Sequence, residues 1–259
     1  MNQLLRQSAF AKPKLVVERT IEEERLHRKQ RLAASYRIFA QKGYDLGLAG
    51  HITARDPEYE DRFWVTPSGP WFGHIRVSDL VLVDHDGNIL EGEGPINQAG
   101  FAIHSELHKA RPDVIAAAHS HSIYGKAWSA LGRLLDPITQ DSCFFYENHA
   151  LFETFSGIVL DNSEGQRIAE ALGDKRAVIL QNHGILTVGG SVESAVASYV
   201  LLENLCETQL LAEAAGTIKP ISHEVASFTA SQMQGSDPGA HGFRPLWERI
   251  VREQPDLLD

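Results

Sequence analysis

Sulfur is scarce in this chain: two cysteines, Cys143 and Cys206, and two methionines among 259 residues. Two thiols are too few for a disulfide framework and suit a reducing cytoplasm. Long apolar runs are also missing. None approaches the roughly 18 residues a membrane span needs, and no apolar leader follows Met1, so neither membrane insertion nor secretion is expected. Surplus positive charge is absent as well. Lys and Arg number 24 against 34 Asp and Glu, a formal net charge of −10 with no basic stripe, which argues against a nucleic-acid partner. What is present is an ordinary globular balance of 43% hydrophobic and 22% charged residues, enough for one sizeable core.

The most informative stretch is Val114-Ile-Ala-Ala-Ala-His-Ser-His121, an apolar run ending in two histidines one residue apart. Side chains two apart on a strand share a face, so His119 and His121 aim at one point while the alanines bury the strand. One metal ion can take both nitrogens at about 2.0–2.1 Å each. A second apolar run, Val178-Ile-Leu-Gln-Asn-His183-Gly184, offers a third imidazole 183 − 121 = 62 residues on, room for a crossover and a return to the same sheet. A lone pair of histidines in an apolar strand reads equally well as satisfied core residues. The third histidine tips the reading to a metal site.

Taken in order, residues 1–18 read as an N-terminal arm, 19–216 as one domain, and 217–259 as a tail with a short helix that docks on the domain or on a neighbouring subunit. A helix is predicted from Thr20 to Gly43, with three glutamates in its first turn where the helix dipole favours them. Strands follow at 51–55 and 62–66, and Asp86-Gly87 marks a hairpin between 80–83 and 88–90. The pattern then alternates: helix 97–109, the His-X-His strand, a helix from Ser122 with that serine as N-cap, helix 162–172, strands 177–181 and 185–188, and a long helix from Ser191 to Ala215. Cys143-Phe-Phe-Tyr146 reads as a strand, and 234–239 as a linker. Gly189-Gly190 reads as a turn rather than a phosphate cradle, because no GxGxxG follows a strand there.

These residues resemble the class II aldolase/adducin family. Glu91 to Phe101, His104, Arg111-Pro-Asp113, His119-Ser-His121, Gln181-Asn-His183-Gly184 and the long closing helix carry the similarity, which spans Thr20 to Gly216. The resemblance implies a three-layer α/β/α sandwich around a mixed central β-sheet. It implies one divalent metal ion per subunit on His119, His121 and His183, zinc first, with Fe(II) or Mn(II) also suited to a three-imidazole set. A homotetramer with sites near subunit interfaces is implied too. Sugar-phosphate members chelate substrate oxygens on the metal, which polarises the carbonyl and stabilises the enolate.

The sequence departs from those members where it matters. Their catalytic glutamate falls at about Gly100, within Gln98-Ala-Gly100, and their Gly-Asn-x-Ser loop is Gly50-His51-Ile-Thr53 here, whereas the turn Thr66-Pro-Ser68-Gly69 is kept. The substrate is therefore expected to be a small, non-phosphorylated molecule bound by His51, Thr66, Ser68 and Gly69. Arg55 or Arg76 is the candidate contact for its anionic group. His104 either orients a ligand or packs. Tyr146 is the candidate proton donor, with subunit packing as the plain alternative. His85, His108 and Glu106 read as surface residues. Three functions are open: a metal-dependent aldolase-type lyase working through a metal-bound enolate, a non-haem Fe(II) oxygenase or decarboxylase on an aromatic acid, and a non-catalytic adducin-like interaction module.

Overall fold

A computed structural model describes residues 18–159, 161–234 and 239–259. The expected arm lies outside these residues except for its last position, as does most of the 234–239 linker. The first helix, α1 (Ile21–Gln41), starts at a capping box: Thr20 Oγ1 accepts the Glu23 amide at 3.2 Å, and the Glu23 carboxylate accepts the Thr20 amide at 2.8 Å. It stops at Gly43, whose φ of 70° is left-handed.

Among the described residues, eight strands form one mixed sheet. They are β1 (His51–Arg55), β2 (Arg62–Val65), β3 (Val81–Asp84), β4 (Ile89–Glu91), β5 (Ala116–Ser120), β6 (His149–Phe152), β7 (Ala177–Leu180) and β8 (Gly184–Gly189). Their spatial order is β4-β3-β2-β1-β5-β8-β7-β6, antiparallel at every step except β6 beside β7. The remaining helices are α2 (Gln98–Ala110), α3 (Ile123–Ser129), α4 (Asn162–Leu172), α5 (Val192–Ala215), α6 (His223–Gln234) and α7 (Arg244–Glu253).

Strand alternation sorts the chain into three layers. Ile52, Ala54, Ala116 and Ala118 face a core with Leu32 and Phe39 of α1, Trp128 of α3 and Tyr199 of α5. Ala117, Val178 and Leu186 face the other side, against Ile103 and Leu107 of α2 and Ile168 and Leu172 of α4. Since side chains alternate, His51, Thr53 and His119 must share the α2 side with Ala117. This is the sandwich the resemblance implied.

Four local readings need correction. Cys143 to Tyr146 is not a strand: Asp141–Phe145 is a 3₁₀ turn, and the strand begins at His149. Ser122 stands at the N-cap of α3 but does not cap it, because its hydroxyl donates to Glu203 at 2.5 Å while Glu203 accepts the Tyr124 and Gly125 amides. The cap of α4 is not the Asn162-Ser163 pair that its sequence suggests but Asp161, whose side chain accepts the Ser163 amide. The tail is more ordered than its composition implied. It forms α6 and α7, buries Ile250 and Leu257 in the main core, stacks Trp247 on Arg31 at 3.5 Å, and pairs Asp256 with Arg37 at 2.9 Å.

Candidate metal centre

His119 is the penultimate residue of β5 and His121 follows the strand's end, so both point to the α2 side from one edge of the sheet. His183 sits in the turn from β7 to β8. Asn182 holds a φ of 59°, a left-handed conformation that Asn tolerates, and this delivers His183 to the same edge. The glycine after it suits a tight approach: a Cβ on Gly184 would lie 3.2 Å from the Ser120 carbonyl and 3.4 Å from the His119 ring. The Asn-His-Gly motif is therefore a device for placing one imidazole beside two others.

The three rings meet as expected. Their centroids are 5.3 Å apart for His119–His121, 4.7 Å for His119–His183 and 4.9 Å for His121–His183, with one ligand nitrogen from each within 4.8 Å of the others. Nδ1 of His119 donates to the Ile185 carbonyl at 2.9 Å, which leaves Nε2 as the lone-pair atom. That Nε2 is fully buried with no hydrogen-bond partner among the described residues. A buried acceptor left bare costs about 1–3 kcal/mol, and a bound cation would remove the cost. Burial, reinforced by His183 and His51, holds His119 well below the ordinary imidazole value. Burial and then His121 push His183 down to about 4. Burial, then the charge of Lys126, lowers His121. All three are thus neutral at pH 7, the form that ligates metal. The donor set fits a divalent ion.

Two cavities join at this edge. One, of about 300 Å³, is lined by His121, His183, Lys126, Asn97 and the exposed Phe155 and Ile158. The other is narrow and apolar, lined by Phe63, Val65, Phe72, Ile96 and Phe101, with Thr66, Ser68 and Gly69 at its wall. His51 and Asn97 line both. Lys126 is the one lysine or arginine lining either cavity among the described residues.

His51 opens β1 and pairs in register with His119, which sets their rings 4.9 Å apart. His104, buried in α2, makes no hydrogen bond to the three-histidine set among the described residues. Its Nε2 meets His51 Nδ1 at 2.7 Å and its Nδ1 meets Thr53 Oγ1 at 2.7 Å. The residue that orients His119 is Ile185, through its carbonyl.

Other expectations fare differently. Arg55 is buried, four of its five N–H groups are spent on the carbonyls of Val114, Glu60, His108 and Arg111, and it lines neither cavity. Arg76 is half exposed beside Asp256 and lines neither cavity. Tyr146 also lines neither, and its hydroxyl pairs with His223 at 2.9 Å. His108 and Glu106 are not surface residues: both are buried, His108 against Thr53 and Glu106 against Lys109 and Asn162. Gly100, His104 and His108 recur every four residues and so share one face of α2, the face that meets β1.

The chain matches the model of the Class II Aldolase and Adducin N-terminal domain over residues 30–210. It belongs to that family. A Streptomyces roseochromogenus subsp. oscitans protein named 4-hydroxy-3-prenylphenylpyruvate oxygenase/4-hydroxy-3-prenylbenzoate synthase is 43% identical over 240 residues, 92% of this chain and 87% of that one. Decarboxylase NovR of Streptomyces niveus is likewise 43% identical over 240 residues, 92% of this chain and 89% of that one. Among solved structures, the L-fuculose 1-phosphate aldolase of Glaciozyma antarctica PI12 is 45% identical with a TM-score of 0.86, covering 97% of this chain and 98% of that one.

Proposed function

We propose that this chain is a divalent-metal enzyme that breaks or forms a C–C bond beside a carbonyl or carboxylate of a small, non-phosphorylated substrate. The observation that carries the reading is the cluster of three neutral imidazoles, one with an orphaned buried nitrogen, opening onto a cavity of about 300 Å³. His119, His121 and His183 would hold the ion, zinc first, with Fe(II) or Mn(II) as alternatives. Such an ion supplies a Lewis acid that polarises an oxygen and takes up negative charge.

The chain's own residues supply the rest. Lys126 sets one positive charge in the cavity, enough to draw a carboxylate. Phe63, Phe72 and Phe101 line the narrow pocket, accept an apolar or aromatic body and exclude water. Thr66, Ser68 and Gly69 would contact the substrate's far end. A phosphate would find Lys126 alone, with no arginine fork. Tyr146 lines neither cavity of its own chain, so a proton-donor role for it is a claim about a neighbouring subunit in the proposed homotetramer. The working compartment is the cytoplasm, in accord with two buried free thiols.

The test is turnover of aromatic and aliphatic keto and hydroxy acids by metal-loaded protein, followed by product carbonyl or CO₂ release. Loss of that turnover in His121→Ala with the fold intact supports the reading, whereas turnover surviving the substitution contradicts it. A second reading, Fe(II)-dependent oxygenation of an aromatic acid, is favoured by the phenylalanine-lined pocket and by the names of the two Streptomyces relatives. Oxygen uptake after anaerobic Fe(II) loading separates the two. A chain inert with every divalent ion would leave the adducin-like binding module.

A further inference from the structure

His121 lies one residue past the ladder: the last paired position of β5 is Ser120, opposite Ile185. Its support comes from behind the sheet. The serines that flank it, Ser120 and Ser122, are buried and meet α5 rather than the cavity. Tyr199 of α5, fully buried, puts its hydroxyl 2.7 Å from Ser120 Oγ and 2.8 Å from Ser122 Oγ. The same hydroxyl donates to the Ser120 carbonyl at 3.0 Å. Phe39 and Tyr44, with ring centroids 4.7 and 5.8 Å away, brace the Tyr199 ring.

Glu203 stands one turn further along α5, on the same face. Its Oε2 accepts the Ser122 hydroxyl at 2.5 Å and the Gly125 amide at 2.7 Å, and its Oε1 accepts the Tyr124 amide at 2.9 Å. Those two amides belong to the first turn of α3, where no carbonyl of the helix itself can reach them. Gly125 permits the approach, since a Cβ there would fall 2.8 Å from Glu203 Oε2. Backbone amides can only donate, so both carboxylate oxygens are committed as acceptors.

We propose that Tyr199 and Glu203 are positioning residues, which clamp the Ser120–Gly125 segment from the far side of the sheet and so fix His121 for the metal. Neither lines a cavity at the metal edge, so both act through the backbone that carries the histidine. Filling the core would ask only for hydrocarbon. A satisfied buried network instead holds one geometry, because each hydrogen bond tolerates little displacement. Glu203→Gln keeps the size but turns one acceptor into an NH₂ group. That group would face the Tyr124 amide or the Gly125 amide, donor against donor in either orientation. The metal half of this inference rests on the metal-enzyme reading. The clamp does not.

Amide hydrogen exchange on the metal-free full-length protein reads the clamp. The Tyr124 and Gly125 amides should exchange slowly in the wild type and about tenfold faster in Glu203→Gln, with the β7 and β8 amides unchanged. Fast exchange of those two amides in the wild type, or no change in a folded Glu203→Gln, overturns the clamp. Cobalt(II) titration, followed by visible absorbance, reads the metal half. Tyr199→Phe removes one oxygen and should weaken cobalt binding about tenfold and shift the visible band. Thr187→Val is the control: it removes another buried hydroxyl, one that donates to the Ala195 carbonyl of α5 at 2.8 Å, and should leave affinity within about twofold. Equal affinity in wild type and Tyr199→Phe, or an equal loss in Thr187→Val, overturns the positioning role. Wild-type protein that binds no cobalt would overturn the metal-enzyme reading and the metal half with it, while the exchange result still decides the clamp.

Discussion

At the scale of single residues, the site is a collection of histidines kept neutral by burial, and this has a consequence for acid stability. Desolvation, with the nearby Arg55 charge, pushes His108 down to about 3, whereas in the unfolded chain it titrates near 6.5. Above pH 6.5 both states are neutral and this residue adds no pH dependence. Between 6.5 and 3 only the unfolded chain binds the proton, so stability falls with acidification by up to about 1.4 kcal/mol per pH unit for this one residue, and the loss is complete below 3. Urea unfolding at several pH values should show that decline, and a folded His108→Phe should show a shallower one; equal slopes would contradict it. The meeting of His119, His121 and His183 was legible in the sequence because strand alternation and the Asn-His-Gly turn are local rules. His108 and Glu106 were not. Their burial depends on α2 being covered by β1 on one face and α4 on another, which no single helix encodes.

Helices and strands set the spacing of the site, and two glycines show how tightly. Gly100 leaves space for His51, so Gly100→Ala should displace that ring, cost about 1–3 kcal/mol in stability, and leave bound metal near wild-type level. Melting temperature and metal content measured on the same sample check this. A variant as stable as wild type would mean the ring has slack. Gly165 lets α4 cross α2 closely, since a Cβ there would sit 2.2 Å from the Ala102 carbonyl. Backbone cannot swing aside like a side chain, so Gly165→Ala should destabilise at least as much as Gly100→Ala in denaturant titration. The main helices and most strands were readable from caps and periodicity. The error at Cys143 to Tyr146 arose because Phe144 and Phe145 are both buried, giving a strand-like apolar run on a 3₁₀ turn. Likewise α6 hides in a Ser- and His-rich segment, ordered by packing against the 3₁₀ turn at Asp141–Phe145 rather than by helix propensity.

At the scale of the whole molecule, exposed apolar side chains gather beside the proposed metal site. Phe155 and Ile158 line the cavity yet are 51% and 79% exposed, and Ile123 nearby in sequence to His121 is 67% exposed. Apolar groups this open beside a reactive centre fit a site finished by a second copy, in line with the proposed homotetramer. Light scattering should return four times the 28.7 kDa chain mass, and Ile158→Asp should shift it downward; a monomer in the wild type would contradict the proposal. The resemblance implied a homotetramer, but which apolar residues gather at this cavity was beyond the sequence, because that depends on how distant loops are brought together. No helix among the described residues is long and apolar enough to cross a membrane. Everything functional nevertheless rests on three imidazoles sharing one cation. The most direct measurement is elemental analysis of the purified protein after dialysis against each divalent ion in turn. One ion per chain, lost in His119→Ala, His121→Ala and His183→Ala while the fold persists, is the expected result. Folded wild-type protein that holds none of them, or a His121→Ala variant that keeps its full share, would contradict it.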